Sequence, residues 1–145
     1  MERRQTIMRA MASARCAWRN HVKQAALSEG IPDSYRPVIL YLHRHPGAGQ
    51  KSIAEFAGVT TSAVNQVVKS LEEEGYLCKQ TDPSDKRYSK LYLTDKGEGV
   101  ASRLFARLSA SDDAITALFG EEKERELIAL MEELGRYIRE ELDGC

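Results

Sequence analysis

Residues 50–97 read QKSIAEFAGVTTSAVNQVVKSLEEEGYLCKQTDPSDKRYSKLYLTDKG, and the order of signals in this stretch decides the fold of the chain. The apolar spacing at its start predicts a helix over Gln50–Ala57. Gly58 is expected to end this helix, because glycine tolerates the left-handed conformation that a short turn needs. The residues expected on the inward face of the helix are Ile53, Phe56 and Ala57.

A second helix is predicted over residues 61–74. Thr60 is expected to cap it, because a hydroxyl can accept a backbone N–H that the first turn leaves unpaired. Apolar residues at the i, i+3, i+4, i+7 spacing form a stripe that must face a core. This stripe consists of Val64, Val67, Val68 and Leu71. The acids Glu72, Glu73 and Glu74 are confined to the last turn, which leaves the start of the helix open to a polyanion.

The exposed face of this second helix carries short polar side chains at its start. Such a face is typical of the helix that a helix-turn-helix inserts into the major groove. Asn and Gln can bond adenine N6 and N7 in a bidentate manner, and Ser or Thr can bond several base edges. The residues predicted to contact DNA from this helix are Thr60, Thr61, Ser62, Asn65, Gln66 and Lys69.

A hairpin with a charged tip is predicted after Gly75. Residues 76–80 and 88–93 are rich in β-forming side chains, and the TDPSDKR segment between them favours a turn. Lys86 and Arg87 at the tip could reach phosphates or a narrow minor groove, which attracts arginine. Asp85 is expected to hold the tip in one shape, by bonding within the loop or to Arg87.

The whole stretch resembles the DNA-binding core of the MarR family of bacterial transcriptional regulators. The motifs that carry the resemblance are Ile53-Ala54-Glu55, Gly58-Val59, Ser62-x-Val64, Leu71-Glu72-x-x-Gly75, Asp82-Pro83-x-Asp85-x-Arg87 and Leu93-Thr94-x-x-Gly97. It implies a single domain over residues 1–145, mainly α with a small β wing of two or three strands. Residues 30–97 would form the winged helix-turn-helix lobe. Residues 1–29 and 98–145 would form a helical dimerisation region, so that a homodimer binds double-stranded DNA.

Charge is unevenly divided along these 145 residues, although the net value is only −1. By count of Lys and Arg against Asp and Glu, residues 1–50 carry +5, residues 51–97 are balanced, and residues 98–145 carry −6. Affinity for phosphate depends on the local face rather than on net charge. The acidic C-terminal part is therefore the least suited to touch DNA.

Composition narrows the class of protein. Charged residues are 30% and hydrophobic residues 42%, which suits a soluble globular domain. Three cysteines without metal-type spacing predict reduced thiols and a cytoplasmic location. No run of 18 apolar residues and no secretory signal is present, so no membrane span is predicted. The sequence also lacks HExxH, Walker and G-x-S-x-G motifs, so neither an enzyme nor a cofactor is predicted.

Four further helices are predicted, over residues 2–29, 34–45, 95–119 and 121–142. Ser34 is expected to cap the second of these, with Pro37 in its first turn, and Thr94 to cap the third. The first and last helices carry apolar stripes that a partner subunit or each other must cover, unless they pack within one chain in the ordinary way. These stripes are Ile7, Met11, Trp18, Val22 and Ala25, and Leu127, Leu130, Met131, Leu134, Ile138 and Leu142.

Two kinds of regulatory site can be weighed on these helices. Cys16 lies between Arg15 and Arg19, and some relatives in the family sense peroxide through a cysteine in this helix; the alternative is an inert small apolar side chain. A zinc site that joins Cys16 to His43 and His45 is disfavoured, because two helical residues two apart point in nearly opposite directions.

The second kind of site is a pocket for a small aromatic acid, which the resemblance implies beneath the DNA-binding lobe. Its residues would be Trp18, Tyr35 and Tyr41. Tyr35 stands where glutamine is common in the family, which favours an altered pocket or none, and aromatic side chains at helical spacing also fit a core. The function predicted is sequence-specific DNA binding by a homodimeric repressor on a pseudo-palindromic operator. The alternatives are a redox-sensing repressor that uses Cys16 and a winged-helix protein-interaction module.

Overall fold

The computed structural model describes residues 4–85 and 88–144. The helices, in chain order, are α1 (Ile7–Ser28), a 3-10 turn (Asp33–Tyr35), α2 (Arg36–Arg44), α3 (Gln50–Ala57), α4 (Thr61–Glu73), α5 (Asp95–Phe119), α6 (Glu121–Tyr137) and a π-helical segment (Ile138–Leu142). The strands are β1 (Leu77–Thr81) and β2 (Ser89–Leu93), between α4 and α5. The fold is therefore mainly α with a small β wing, as the sequence predicts.

The described residues form two compact units, divided after Leu108 within α5. The first unit holds the hydrophobic core, to which α1, α2, α3, α4, the two strands and the start of α5 all contribute. The largest side chains that are fully buried in it are Ile31, Ile39, Leu42, Ile53, Leu71, Leu77, Leu91 and Leu104. Each apolar stripe of the helix-turn-helix segment thus meets apolar residues of other elements.

The turn between α3 and α4 follows the chemistry that the sequence predicts. Gly58 is left-handed, with φ of 67°, and Thr60 accepts a hydrogen bond from the Ala63 amide on its Oγ1 at 3.1 Å. The inward face predicted for α3 is wrong at Phe56, which is 61% exposed. The buried face is centred between Ile53 and Ala54, and at about 100° per residue this places Phe56 at its edge. The Phe56 ring packs on Tyr41 instead, with ring centroids 5.0 Å apart.

The wing is an antiparallel pair in which Leu77 lies opposite Leu93 and Thr81 lies opposite Ser89. Only two strands occur among the described residues, so the two-stranded alternative is the right one there. The loop before α3 adds two backbone hydrogen bonds on the other side of β2. The Gly47 amide donates to the Leu91 carbonyl at 2.8 Å, and the Leu91 amide donates to the Ala48 carbonyl at 3.0 Å.

The prediction that Ser34 caps α2 is wrong, because Ser34 lies inside the 3-10 turn and α2 begins at Arg36. The Arg36 amide donates to the Asp33 carbonyl in a tight i to i+3 turn, so the chain is already helical at Ser34 and the position before α2 falls to Tyr35. The predicted cap at Thr94 is confirmed, since its Oγ1 accepts from the Gly97 amide at 3.2 Å.

The outermost helices differ from the prediction at their ends. Helix α1 starts at Ile7, where the Thr6 hydroxyl accepts a hydrogen bond from the Arg9 amide at 3.3 Å. The α-helical part of the last helix stops at Tyr137, and the chain continues as a π-helical turn. None of the described helices is both long enough and apolar enough to cross a membrane.

The second unit has no buried side chain in α6. Its large apolar residues are instead exposed: Ile115, Leu118, Phe119, Leu127, Ile128, Leu130 and Met131. Within this unit the Thr116 hydroxyl donates to Glu124 Oε1 at 2.7 Å, which spans the break at Gly120. In the first unit the start of α1 is exposed in the same way, at Ile7 and Met8. Continuous apolar faces of this kind mark interaction surfaces.

Candidate nucleic-acid interface

The exposed face of α4 presents every side chain that the sequence predicts there. Val64, Val68 and Leu71 turn inward, which fixes the rotation of the helix about its axis. All six predicted residues are exposed: Thr60, Thr61, Ser62, Asn65, Gln66 and Lys69. Four of them, from Ser62 to Lys69, follow the i, i+3, i+4, i+7 spacing and so share one face.

The electrostatics of α4 favour an anion at its start. The first turn contains no acidic residue, and the N-terminus of a helix carries a partial positive charge with unpaired N–H groups. The Thr60 hydroxyl uses a lone pair to cap the helix and keeps its proton for another acceptor. The acids Glu72, Glu73 and Glu74 lie at the opposite end of the helix. A duplex could therefore approach the N-terminal half without meeting a carboxylate on this helix.

The chemistry of this face divides into two roles. Asn65 and Gln66 carry amides that can donate and accept at once, which suits the major-groove edge of adenine. Lys69 carries a single charge on a flexible stem, which suits a phosphate. This side-chain set can therefore both position a duplex and read its sequence.

The loop of the wing is held by Asp82, whose ordering role the sequence did not predict. One Asp82 carboxylate oxygen, Oδ1, accepts hydrogen bonds from the Ser84 amide at 2.8 Å and the Ser84 hydroxyl at 2.7 Å. These two bonds lower the pKa of Asp82 below its usual value, and the bond from the Ser84 hydroxyl has the larger effect. An Asp two residues before a Ser in a Pro-containing turn was the available signal, because Asp commonly bonds the backbone two residues on.

Asp85 contributes to the loop through its backbone. Its amide donates to the Asp82 carbonyl at 3.3 Å, and its carbonyl accepts from the Tyr88 amide at 3.2 Å. Lys86 and Arg87, the predicted basic tip, lie outside the described residues. The proposed bond between Asp85 and Arg87 therefore stays a prediction.

The C-terminal end of α4 is fastened to the start of α5. Thr94 donates its hydroxyl proton to the Gly75 carbonyl at 2.6 Å, and its amide donates to the Tyr76 carbonyl at 3.0 Å. Gly97 is buried directly against the same Tyr76 carbonyl, so that a side chain there would overlap it. This packing gives a physical reason for the glycine in the Leu93-Thr94-x-x-Gly97 motif.

The three aromatic residues predicted to line a pocket belong to three separate ring clusters. Trp18 lies beside His21, with ring centroids 5.5 Å apart. Tyr41 is half-buried between His45, at 4.6 Å, and the exposed Phe56. Tyr35 is 6% exposed, and its ring meets Tyr76 edge-on at 6.3 Å. Tyr35 therefore serves the core of the first unit.

The predicted redox and metal candidates are placed as follows. Cys16 and Cys78 are free thiols, and both are exposed. His43 is paired with Glu98, with Nδ1 2.7 Å from Oε2, and its ring lies 5.9 Å from that of Phe105. Within residues 4–85 and 88–144, no three His, Cys, Asp or Glu side chains are grouped to hold a metal ion.

Comparison with known proteins tests the resemblance directly. The sequence model of the MarR family matches residues 29–87. The transcriptional repressor Rv2887 of Mycobacterium tuberculosis is 31% identical over 94 residues, which cover 65% of this chain and 68% of the repressor. The chain belongs to the MarR family. A second relative is the HTH-type transcriptional regulator BilQ of Clostridium symbiosum, which is 25% identical over 114 residues, 79% of each chain.

Solved structures show the same fold. The MarR-family regulator SP03579 superposes with a TM-score of 0.85 at 18% identity, over 96% of this chain and 94% of its own. MepR of S. aureus, solved as a complex with DNA, superposes with a TM-score of 0.81 at 17% identity, over 90% of this chain and 97% of MepR. NadR, solved with 4-hydroxyphenylacetate, superposes with a TM-score of 0.72 at 22% identity, over 92% of this chain and 95% of NadR. With relatives that are transcriptional regulators, this chain is a MarR-family transcriptional regulator and not an enzyme.

Proposed function

We propose that this regulator binds a specific pseudo-palindromic DNA operator as a homodimer and represses transcription in the cytoplasm. The observation that carries the proposal is the exposed face of α4, where Ser62, Asn65, Gln66 and Lys69 stand together with no acid in the first turn. MepR, which has the same fold, was solved with DNA, and Rv2887 is named a repressor. Both support this reading.

The exposed apolar faces support the homodimer. Leu127, Leu130 and Met131 lie on one side of α6, and none of them is buried. A two-fold dimer would cover these residues with the same residues of a second copy, which is how an isologous interface is built. Two recognition helices related by that axis would read half-sites about 10 bp apart, one turn of the duplex.

Release by a small aromatic ligand is the regulatory part of the proposal. NadR was solved with 4-hydroxyphenylacetate, which makes an aromatic acid the first class to try. In this chain the half-buried Tyr41, with His45 and the exposed Phe56 against it, provides an aromatic surface of the kind that such a ring could contact. The burial of Tyr35 makes it the least available of the three predicted pocket residues.

The test is selection of bound sites from random DNA duplexes, followed by the same selection with aromatic acids added. We expect enrichment of an inverted repeat and loss of binding with an effector. A parallel selection after mild oxidation, with wild type and Cys16→Ser, measures the redox alternative. If no duplex is enriched under any condition, the proposed function is wrong and the protein-interaction alternative takes its place.

A further inference from the structure

Glu74 sits at a position that helix electrostatics disfavour. It is the residue that caps the C-terminus of α4, after Glu72 and Glu73, and the C-terminal end of a helix carries a partial negative charge. An acid gains nothing there from the helix itself. Its carboxylate must therefore find its partner in another element if it is to contribute to the fold.

That partner is Tyr35, which lies 39 residues earlier in the chain. The Tyr35 hydroxyl donates to Glu74 Oε1 at 2.8 Å, from a side chain that is otherwise buried in the core of the first unit. Burial raises the pKa of the Tyr35 phenol above its ordinary value, and the bond to Glu74 raises it further. The phenol therefore keeps its proton at neutral pH and remains a donor.

The neighbouring groups close the same corner of the molecule. Lys96, in the first turn of α5, donates a hydrogen bond from its Nζ to the Glu74 backbone carbonyl at 2.9 Å. The same ammonium lies 4.2 Å from the centre of the Tyr76 ring, which Tyr35 meets edge-on. The end of α4 is thus tied to the 3-10 turn before α2 by one side chain and to α5 by another.

We propose that Tyr35 and Glu74 position the recognition helix, so that their hydrogen bond sets the angle at which α4 enters the major groove. This inference rests on the proposed function, because it assigns a role in DNA reading to residues that do not touch DNA. Glu74 lies at the end of α4 opposite the predicted DNA-contacting residues. A hydrogen bond that restrains this end of the helix also restrains the direction of its N-terminal half.

The consequence is a strict spacing between half-sites. In a dimer, each recognition helix must meet a groove whose position is fixed by the separation of the two half-sites. A helix held at one angle tolerates little change in that separation. A helix released at its C-terminal end can tilt toward a displaced groove, at the expense of its fit to the correct one.

The experiment uses the full chain and an operator obtained by selection from random duplexes. Affinities are measured for that operator and for a copy with one base pair inserted between the half-sites, at a temperature where every variant is folded. Tyr35→Phe removes only the hydroxyl, and Glu74→Ala removes its acceptor. We expect each to weaken operator binding by up to about tenfold, because loss of a bond that orients the helix can cost no more affinity than the free energy of that bond. The ratio between the two duplexes should fall by a similar factor.

Three further variants test whether the effect comes from the hydrogen bond rather than from charge. Glu73→Ala removes the same charge one residue earlier, and should raise affinity for both duplexes alike without changing their ratio. Glu74→Gln keeps an oxygen that can accept from Tyr35, and should retain the wild-type ratio. The double variant Tyr35→Phe with Glu74→Ala should be no worse than either single one, because both remove the same bond.

The outcomes are distinguishable. If wild type selects an operator but Tyr35→Phe keeps the wild-type ratio between the duplexes, the positioning role is wrong and the proposed function stands. Fully additive effects of Tyr35→Phe and Glu74→Ala would also overturn it. If wild type prefers no duplex over another, the proposed function and this inference fail together.

Discussion

Gly97 packs its α-carbon directly against the backbone carbonyl of Tyr76, at a distance that leaves no room for a β-carbon. The same carbonyl accepts the Thr94 amide at 3.0 Å, so it cannot move away without losing that bond. The first turn of α5 is therefore fitted to the segment that joins α4 to the wing.

Gly97→Ala should destabilise the protein by about 1–3 kcal/mol or more, as overpacking against a fixed group does. Gly99→Ala is the matched control, because it lies in the same turn of α5 and its β-carbon would meet only the Arg103 side chain, at 3.4 Å. That substitution should stabilise by about 0.5–1 kcal/mol, the usual helical preference for Ala over Gly. Urea unfolding of both variants measures the difference. Equal stabilities would show that the close approach at Gly97 has no energetic weight.

Gln66→Ala and Lys69→Ala should weaken DNA binding in different ways. Loss of a bidentate amide contact should reduce discrimination against the wrong base by about 1–3 kcal/mol. Loss of a phosphate contact should weaken operator and scrambled duplex alike, and should lower the slope of affinity against salt by about 1. The measurement is a binding series on both duplexes at several salt concentrations. Identical behaviour of the two variants would contradict the assigned roles.

The Asp82 loop should be sensitive to acid. The pKa of Asp82 is lower in the folded protein than in the unfolded chain. The stabilisation of the loop by its carboxylate is therefore fully present above the unfolded pKa of about 3.9, and is lost as the pH falls through the folded pKa. An NMR titration of the Asp82 carboxyl carbon should therefore have its midpoint below that of an unstructured Asp. Ser84→Ala removes the hydroxyl donor and should move the midpoint up. If both proteins have the midpoint of an unstructured Asp, the Asp82–Ser84 hydrogen bonds do not lower the pKa of Asp82 in solution.

The exposed stripe of α6 should make the protein a dimer. Sedimentation at low micromolar concentration should give about twice the chain mass of 16.3 kDa. Leu130→Glu places a charge on the stripe and should shift the protein to monomer, because an unpaired charge is costly to bury. Ala129→Glu is the control, since it adds the same charge on the opposite side of the helix, about 200° from Leu127. A folded wild-type monomer would contradict the proposed assembly.

Local chemistry explains how much of the fold the sequence could predict. Helix α3, the left-handed Gly58 and the Thr60 cap were all predictable, because each depends on residues within one turn of each other. The end of α4 was predicted one residue too late, within the ordinary uncertainty of a helix terminus. The exposed polar face of α4 followed from the same periodicity that placed its apolar stripe.

Contacts between residues distant in sequence, and exposures that depend on neighbouring elements, could not be predicted from local patterns. Nothing in the local sequence pairs Tyr35 with Glu74 across 39 residues, so the sequence predicts Tyr35 as a pocket or core residue and Glu74 only as one of the acids in the last turn of α4. Phe56 was predicted inward because it is large and apolar, whereas its exposure depends on which neighbours fill the α3 face. The Asp82 bond to Ser84 follows local turn chemistry and was predictable, whereas the sequence interpretation gives the ordering role to Asp85.

The backbone hydrogen bonds that join Leu91 to Gly47 and Ala48 also bear on aggregation. A strand with unpaired backbone groups is a template on which another chain can add a strand of its own. Strand β2 is paired with β1 along one side and, at its centre, with the loop before α3 along the other. Because the loop already occupies the middle of this edge, a second hairpin cannot continue the sheet there without first displacing it. The protein is therefore protected against edge-to-edge association at β2.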